Sequence, residues 1–135
     1  MQQNNANYVF PDTLLYTQEH IWLRPSGKDF VLGITDYAQQ QLGEIVFVDL
    51  PTIGSHFTAH EAFGTVESLK SVNSLFMPVT ATVCAVNKIL EENPMLVNID
   101  AYERGWLIHI DQCISQQQEL LTAKQYSDFV SALRC

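Results

Sequence analysis

The amino-acid sequence predicts a mainly β protein, a small sandwich or flattened barrel with helices at its periphery. Short apolar runs recur along the chain, Gly, Pro, Asn and Ser separate them, and few segments have a helical pattern. No linker or repeat divides the 135 residues, a length that supports one hydrophobic core. We therefore expect a flexible, polar extension over residues 1–13 and a single domain over residues 14–135.

The predicted strands are separated by turns. Residues 20–24 form the first strand, and a turn at residues 26–29 joins it to a second strand at residues 30–34, which makes a hairpin. A compact β-rich run follows at residues 44–49. The remaining strands are predicted at residues 63–67, 75–79, 81–86 and 106–110.

Helical patterns are fewer. Residues 35–42 are predicted to form a short helix that ends at Gly43. Asn87 is expected to cap a second short helix over residues 88–92. The strongest pattern lies at residues 122–133, where apolar side chains recur at helical spacing: Ala123, Tyr126, Phe129, Val130 and Leu133. This last helix is expected to cover the sheet.

The net charge excludes several classes of partner. Fifteen acidic and seven basic residues give a formal charge of −8, so nucleic-acid phosphates and anionic membrane surfaces would repel the chain. No apolar run approaches the ~18 residues of a membrane span, and the N-terminus lacks a signal-peptide pattern. The cysteines (Cys84, Cys113 and Cys135) are widely spaced, which is typical of a reducing compartment. We therefore expect a cytoplasmic protein without nucleic-acid or membrane partners.

Few residues have the pattern of a metal or catalytic site. His56 and His60 are four residues apart, but they lack an HExxH context, so a solvated turn is the preferred interpretation. The isolated cysteines are expected to be small core residues. A hydrolase that uses His20, His60 or a cysteine is an alternative, although no triad spacing supports it. We therefore predict neither a metal site nor a catalytic residue.

Lys70 is the most informative single residue. It is the one Lys or Arg within residues 29–87, a range that contains six acids: Asp29, Asp36, Glu44, Asp49, Glu61 and Glu67. Its polar surroundings between two predicted strands favour a hairpin tip with an exposed amine. Such an amine stays protonated and is a poor nucleophile, but it is accessible to a modifying enzyme. Alternatively, an apolar stripe from Phe63 to Phe76 fits a helix, in which Lys70 would be an ordinary surface residue.

Several segments resemble, in order, the glycine cleavage H-protein family. Residues 16–22 (YTQEHIW) resemble its opening motif, and residues 33–51 resemble the segment that follows. Residues 63–70 (FGTVESLK) are similar to its lipoyl-attachment motif. Later similarities lie at residues 93–94, 96–98 and 105–108. The resemblance extends over about residues 14–130, and the ordered combination of motifs is specific.

The resemblance implies a lipoyl-type fold, a flattened barrel or sandwich of two small antiparallel sheets with peripheral helices, including a C-terminal helix. It also implies lipoate in amide linkage to Lys70 and recognition of the hairpin through Glu67, Ser68 and Ser71. Family members are carriers and not enzymes. Their lipoyl group receives an aminomethyl group from a pyridoxal-phosphate glycine decarboxylase and delivers it to a folate-dependent aminomethyltransferase. The other implied partners are dihydrolipoyl dehydrogenase and a lipoate ligase or transferase.

Some positions depart from the family pattern. His60 and Ala81 stand where two turns commonly have glycine, and a side chain at positive φ costs about 1 kcal/mol unless the turn differs. Residues 71–74 (SVNS) replace small and acidic residues after the lysine. These differences leave open an H-like carrier that serves another enzyme complex, or a relay that passes lipoyl groups to other proteins.

Overall fold

The computed structural model describes residues 2–5, 8–111 and 120–133. Its strands, in chain order, are β1 (Gln2–Asn5), β2 (Tyr8–Pro11), β3 (Leu15–Tyr16), β4 (Ile21–Ser26), β5 (Asp29–Ile34), β6 (Ile45–Asp49), β7 (His56–Phe57), β8 (Ala62–Ser68), β9 (Val72–Phe76), β10 (Ala81–Val86) and β11 (Ile108–Ile110). Its helices are α1 (Asp36–Leu42), α2 (Leu96–Ile99) and α3 (Ala123–Leu133), with a 3₁₀ turn at Lys88–Glu91.

Two antiparallel sheets form the body of the protein. The larger sheet has the strand order β3-β4-β5-β11-β10-β7, and the smaller sheet has the order β6-β8-β9. The predicted hairpin is present as β4 and β5, in which Trp22 pairs with Gly33. β5 is buried along nearly its whole length because one of its faces contacts the main core and the other contacts a second cluster.

The main core lies between the two sheets. Its central side chains are at most 4% exposed: Ile45, Val48, Val66 and Leu75 from the smaller sheet, and Leu23, Leu32 and Ile108 from the larger. The strand order of each sheet is open and does not return to its first strand. The fold is therefore a flattened sandwich with few helices, which confirms the predicted class.

An aromatic cluster covers the other face of β4 and β5. Trp22 from β4 lies in it together with Phe10, Tyr16 and Tyr126, all of which are fully buried. The rings of Tyr16 and Tyr126 stack with centroids 4.9 Å apart. Tyr126 comes from α3, so this helix covers the sheet as predicted.

The N-terminal segment differs in part from the flexible extension expected over residues 1–13. β2 pairs with β1, and Phe10 in β2 is fully buried. The backbone N–H of Val9 donates to Asp36 Oδ2 at 3.0 Å, and the Tyr102 hydroxyl donates to the Val9 carbonyl at 2.6 Å. Residues 8–11 are therefore a packed strand, because Tyr8 and Phe10 alternate with less buried neighbours and face the core. The division of the chain at residue 14 stays a prediction.

One of the two expected features at helix ends is present and the other is not: α1 ends at Gly43, but the Asn87 side chain does not cap the turn that follows it. The Thr35 side chain accepts a hydrogen bond from the Ala38 N–H and so caps α1, which ends at Gly43 as predicted. Asn87 makes no capping hydrogen bond, so that prediction was wrong. Its side-chain amide instead donates to the carbonyls of Arg104 and Trp106, both at 2.8 Å, and ties the 3₁₀ turn to the approach of β11.

The expectation that the cysteines are core residues is wrong for Cys84. Cys84 is exposed and lies where the pairing of β10 with β11 shifts register between Val83 and Ala85. A bulge of this kind turns one residue out of the alternating pattern. Cys113 and Cys135 lie outside the described residues. None of the described helices has the length and apolar content needed to cross a membrane.

The two positions that depart from the family's glycines have different backbones. His60 has φ +72°, in the left-handed region that favours glycine, whereas Ala81 is a buried residue of β10 without positive φ. The expected cost of a side chain therefore applies at His60 and not at Ala81.

Replacing His60 by glycine should raise the free energy of unfolding by up to about 1 kcal/mol, because glycine adopts this backbone without strain. The lost contact between His60 Nδ1 and Glu19 Oε1 (3.3 Å) is exposed and offsets little of this gain. Urea unfolding measures the change, and His56→Gly in strand β7 is the control that should give no gain. Equal effects of the two substitutions would contradict the assignment of strain to His60.

Candidate functional site

Lys70 lies at the tip of the hairpin formed by β8 and β9, and it is exposed. The alternative of a helix through Phe63 and Phe76 is wrong, because both residues lie in or beside paired strands of this hairpin. The tip is a tight turn in which the Ser68 N–H donates to the Ser71 carbonyl at 2.8 Å. Sequence reasoning therefore placed the lysine on the correct kind of element.

The predicted recognition residues around Lys70 occupy different environments. The buried Ser68 hydroxyl accepts the backbone N–H groups of Lys70 (3.1 Å) and Ser71 (3.2 Å), so it shapes the turn from within. Ser71 is exposed, and its hydroxyl donates to Asn73 Oδ1 at 2.8 Å. Glu67 is half-buried and pairs with Phe47 on one side and Val72 on the other.

The Lys70 amine leans towards the C-terminal end of α1. Its Nζ donates to the Gln41 carbonyl at 3.2 Å. A Cβ at Gly43 would lie 3.2 Å from Lys70 Cε, so glycine at this position leaves room for the lysine stem. The carbonyl end of a helix is a favourable partner for a cation. α1 therefore helps to position the amine.

A groove of about 300 Å³ lies between α1 and the inner face of the β8–β9 hairpin. Its walls combine apolar side chains with a few polar ones. The lining residues are Glu19, His20, Ile34, Tyr37, Ala38, Gln41, Leu42, Val66, Asn73, Ser74 and Leu75. Gln41 belongs to this lining and also accepts the hydrogen bond from Lys70. The groove is therefore next to the exposed amine.

His20 forms part of the groove wall and is held by α3. It has φ +71°, and its Nδ1 lies 2.6 Å from the Tyr126 hydroxyl, which in turn lies 2.8 Å from Thr35 Oγ1. Burial lowers the pKa of His20 below its ordinary value of 6.5. Burial also raises the pKa of Tyr126. This network joins the groove, the cap of α1 and the C-terminal helix.

The lowered pKa of His20 predicts that the protein loses stability as the pH falls. Both the folded and the unfolded imidazole are neutral well above pH 6.5, and below it the unfolded state gains the proton first. The free energy of unfolding should therefore fall from pH 7 to pH 5, by at most about 1.4 kcal/mol per pH unit from this residue. Thermal melts measure this loss as a fall in melting temperature between pH 7 and pH 5. The fall should be smaller for His20→Asn, because asparagine tolerates positive φ and does not titrate. A fall of the same size in both proteins would contradict this role.

Glu19 contributes the one carboxylate among the residues that line the groove. Its Oε1 lies 3.3 Å from His60 Nδ1, so the turn before β4 and the turn before β8 meet at this point. A carboxylate beside an apolar wall suits a ligand that has a cationic end and an apolar stem.

The alternative functions considered from the sequence lack support at the residues concerned. His20 is hydrogen-bonded to a tyrosine hydroxyl and not to a nucleophile of a triad. His56 Nδ1 lies 3.0 Å from Thr82 Oγ1, and His60 is next to Glu19. Within residues 8–111 and 120–133, no group of three His, Cys, Asp or Glu side chains could hold a metal ion.

Sequence reasoning missed the contribution of α1 to the site. Gln41 and Gly43 were not predicted because they approach Lys70 from a distant part of the chain, 29 residues away for Gln41. The groove wall is likewise assembled from separate segments. Gly43 was recognised as the end of a helix, which is a local signal. Its closeness to Lys70 is set by the packing of α1 on the hairpin, which no local pattern shows.

Comparisons with known proteins agree with one family. The family model described as "Glycine cleavage H-protein" matches residues 14–133. The "Glycine cleavage system H protein" of Bacteroides thetaiotaomicron is 48% identical over 123 residues, which cover 90% of this chain and 98% of the relative. Its namesake from Anoxybacillus flavithermus is 46% identical over 122 residues, or 90% of this chain and 96% of the relative.

A solved structure gives the same result. The crystal structure of a glycine cleavage system H protein from Mycobacterium marinum superposes with a TM-score of 0.83 and 33% sequence identity, over 90% of this chain and 99% of that one. The chain therefore belongs to the glycine cleavage H-protein family, whose members are lipoyl carriers and are not themselves catalysts.

Proposed function

We propose that Lys70 carries lipoate in amide linkage. On this proposal the chain moves an aminomethyl group from a pyridoxal-phosphate glycine decarboxylase to a folate-dependent aminomethyltransferase. The observation that carries the proposal is the exposed amine at the tip of the β8–β9 hairpin, beside a groove of about 300 Å³. A carrier needs such a tether, because a flexible arm must reach several enzymes and also its own protein.

The surroundings of Lys70 fit an acylated lysine. An amide nitrogen keeps one N–H after acylation, so it can still donate to the Gln41 carbonyl, which lies 3.2 Å from Nζ. The loss of the positive charge removes little stabilisation, because Nζ is exposed and this partner is a neutral carbonyl. The Ser68 hydroxyl holds the turn through backbone groups and does not depend on the state of the amine.

When attached to Lys70, the lipoyl group would supply a strained disulfide that is readily opened by nucleophilic attack and exchange. The residues of the chain bind and present the arm. Leu42, Val66 and Leu75 offer the arm an apolar wall that excludes water. Glu19 offers a carboxylate to a cationic end. We infer that the groove shelters the loaded arm between visits to the enzymes.

The partners follow from the family. Membership in the family implies interaction with the other components of glycine cleavage. We propose that these are the glycine decarboxylase, the aminomethyltransferase and dihydrolipoyl dehydrogenase, and that a lipoate ligase or transferase loads Lys70. A net charge of −8 would speed the encounter with basic partner surfaces without making the complexes long-lived. We propose a cytoplasmic location, and this proposal rests only on the wide spacing of the cysteines.

The test is glycine–bicarbonate exchange by a glycine decarboxylase supplied with the lipoylated chain. Exchange should depend on the added chain and should be absent with the unlipoylated chain. Ammonia release should follow when aminomethyltransferase and tetrahydrofolate are present. A lipoylated chain that supports neither reaction, but passes its lipoyl group to a second acceptor protein, would establish the relay alternative and overturn the proposal.

A further inference from the structure

The outer face of the smaller sheet has an exposed apolar row directly below the hairpin tip. Phe47 lies opposite Glu67, and Glu67 lies opposite Val72, so the three side chains share one face of the sheet. Phe47 is 52% exposed, Val72 is 64% exposed, and Leu69 at the tip is 73% exposed. We name Phe47, Glu67 and Val72 the outer row, which Leu69 adjoins at the tip.

The outer row and the groove lie on opposite faces of the hairpin. The groove is lined by Val66 and Leu75, whose side chains face inward, whereas Glu67 and Val72 face outward. A protein bound to the outer row would therefore leave the groove open. It would also leave Lys70 free to move away from α1.

The chemistry of the outer row defines the kind of surface that fits it. Glu67 lies within the row, and exposed Glu44 and Asp49 flank it at the two ends of β6. A complementary surface is apolar and has a basic side chain opposite Glu67. A few exposed side chains offer far less area than the roughly 1,200–2,000 Å² of a stable interface, which favours a transient partner over a second copy of this chain.

We propose that the outer row is the docking surface of the enzyme that acylates Lys70, an inference that rests on the proposed function of this lysine. The enzyme first makes a lipoyl adenylate from lipoate and ATP, with release of pyrophosphate. The Lys70 ammonium then gives up two protons in total as Nζ bonds to the carbonyl carbon of the adenylate, the bond from that carbon to the phosphate oxygen breaks, and AMP leaves. The acylating enzyme must bring Nζ itself into its active site, so it has to bind the hairpin. The other partners react with the far end of the arm, so they do not have to bind the hairpin.

The test measures lipoylation of the unlipoylated protein by lipoate ligase with ATP and lipoate, followed by intact mass spectrometry. Phe47→Ser and Val72→Ser should each lower kcat/KM by about tenfold through KM, the factor expected when one buried apolar contact is lost. Ile53→Ser is the matched control, because Ile53 is 53% exposed and lies beyond the far end of β6. Binding of the ligase to each unlipoylated variant, measured by calorimetry, should weaken in parallel.

The outcomes separate this inference from the proposed function. If the unsubstituted protein is not lipoylated, the proposed function fails. If it is lipoylated and the row variants keep its kcat/KM and ligase affinity, or change no more than Ile53→Ser, only the docking inference is overturned. A concentration-dependent dimer that the row variants abolish would overturn it in favour of a second copy. Glu67→Lys should slow lipoylation as well, so the inference stays testable if an apolar variant does not fold.

Discussion

Replacing Lys70 by alanine is expected to abolish glycine–bicarbonate exchange, to the level measured without the protein. The amine is the proposed attachment point of the arm, so its removal leaves nothing to carry the aminomethyl group. The fold should persist, because Lys70 is exposed and its described partner is the Gln41 carbonyl. Its free energy of unfolding should change by no more than about 0.5 kcal/mol.

Lys88→Ala is the matched control for this prediction. Lys88 is also exposed, but it lies in the 3₁₀ turn and away from any hairpin tip. Exchange by this variant should equal that of the unsubstituted protein. Residual exchange by Lys70→Ala, or equal loss in both variants, would mean that another group carries the cargo.

The second large effect, a loss of folding stability, is expected where the Trp22 ring packs closely against Gly33. Trp22 is fully buried, and its Nε1 donates to the Ala101 carbonyl at 3.0 Å, so Trp22→Ala should cost about 3–5 kcal/mol. A Cβ at Gly33 would lie 2.5 Å from the Trp22 ring. Gly33→Ala should therefore cost about 1–3 kcal/mol through overpacking.

The two substitutions should not be additive. With the indole removed, the Gly33→Ala methyl group enters the space left by Trp22, so it should cost little in that background. Denaturant unfolding of the four proteins in a double-mutant cycle should give a coupling energy of at least about 1 kcal/mol. Additive effects would mean that the close approach in the structure does not set the requirement for glycine.

The hairpin that presents Lys70 was predictable because its signals are local. Two apolar runs flank a polar tip, and one cation stands among acids over residues 29–87. The helical alternative fitted the same apolar residues, and the periodicity alone did not separate the two. Pairing of β8 with β6 and β9 decides for strands, since it buries Val66 and Leu75 on one face.

The groove was not predictable from local patterns. It brings together the turn at Glu19, helix α1 and the inner face of β9, which are far apart in sequence. The network from His20 through Tyr126 depends on the docking of α3, 106 residues later in the chain. Asn87 shows the same limit, because a residue that commonly caps helices is used instead to bond the carbonyls of Arg104 and Trp106.

The attachment of lipoate to Lys70 is tested most directly by mass spectrometry of the unsubstituted protein. The protein is produced in a host with an active lipoate ligase, its intact mass is measured, and the modified residue is located by peptide fragmentation. We expect an increment of one lipoyl group, located on Lys70. An unchanged mass, or an increment on Lys28, Lys88 or Lys124, would contradict the account.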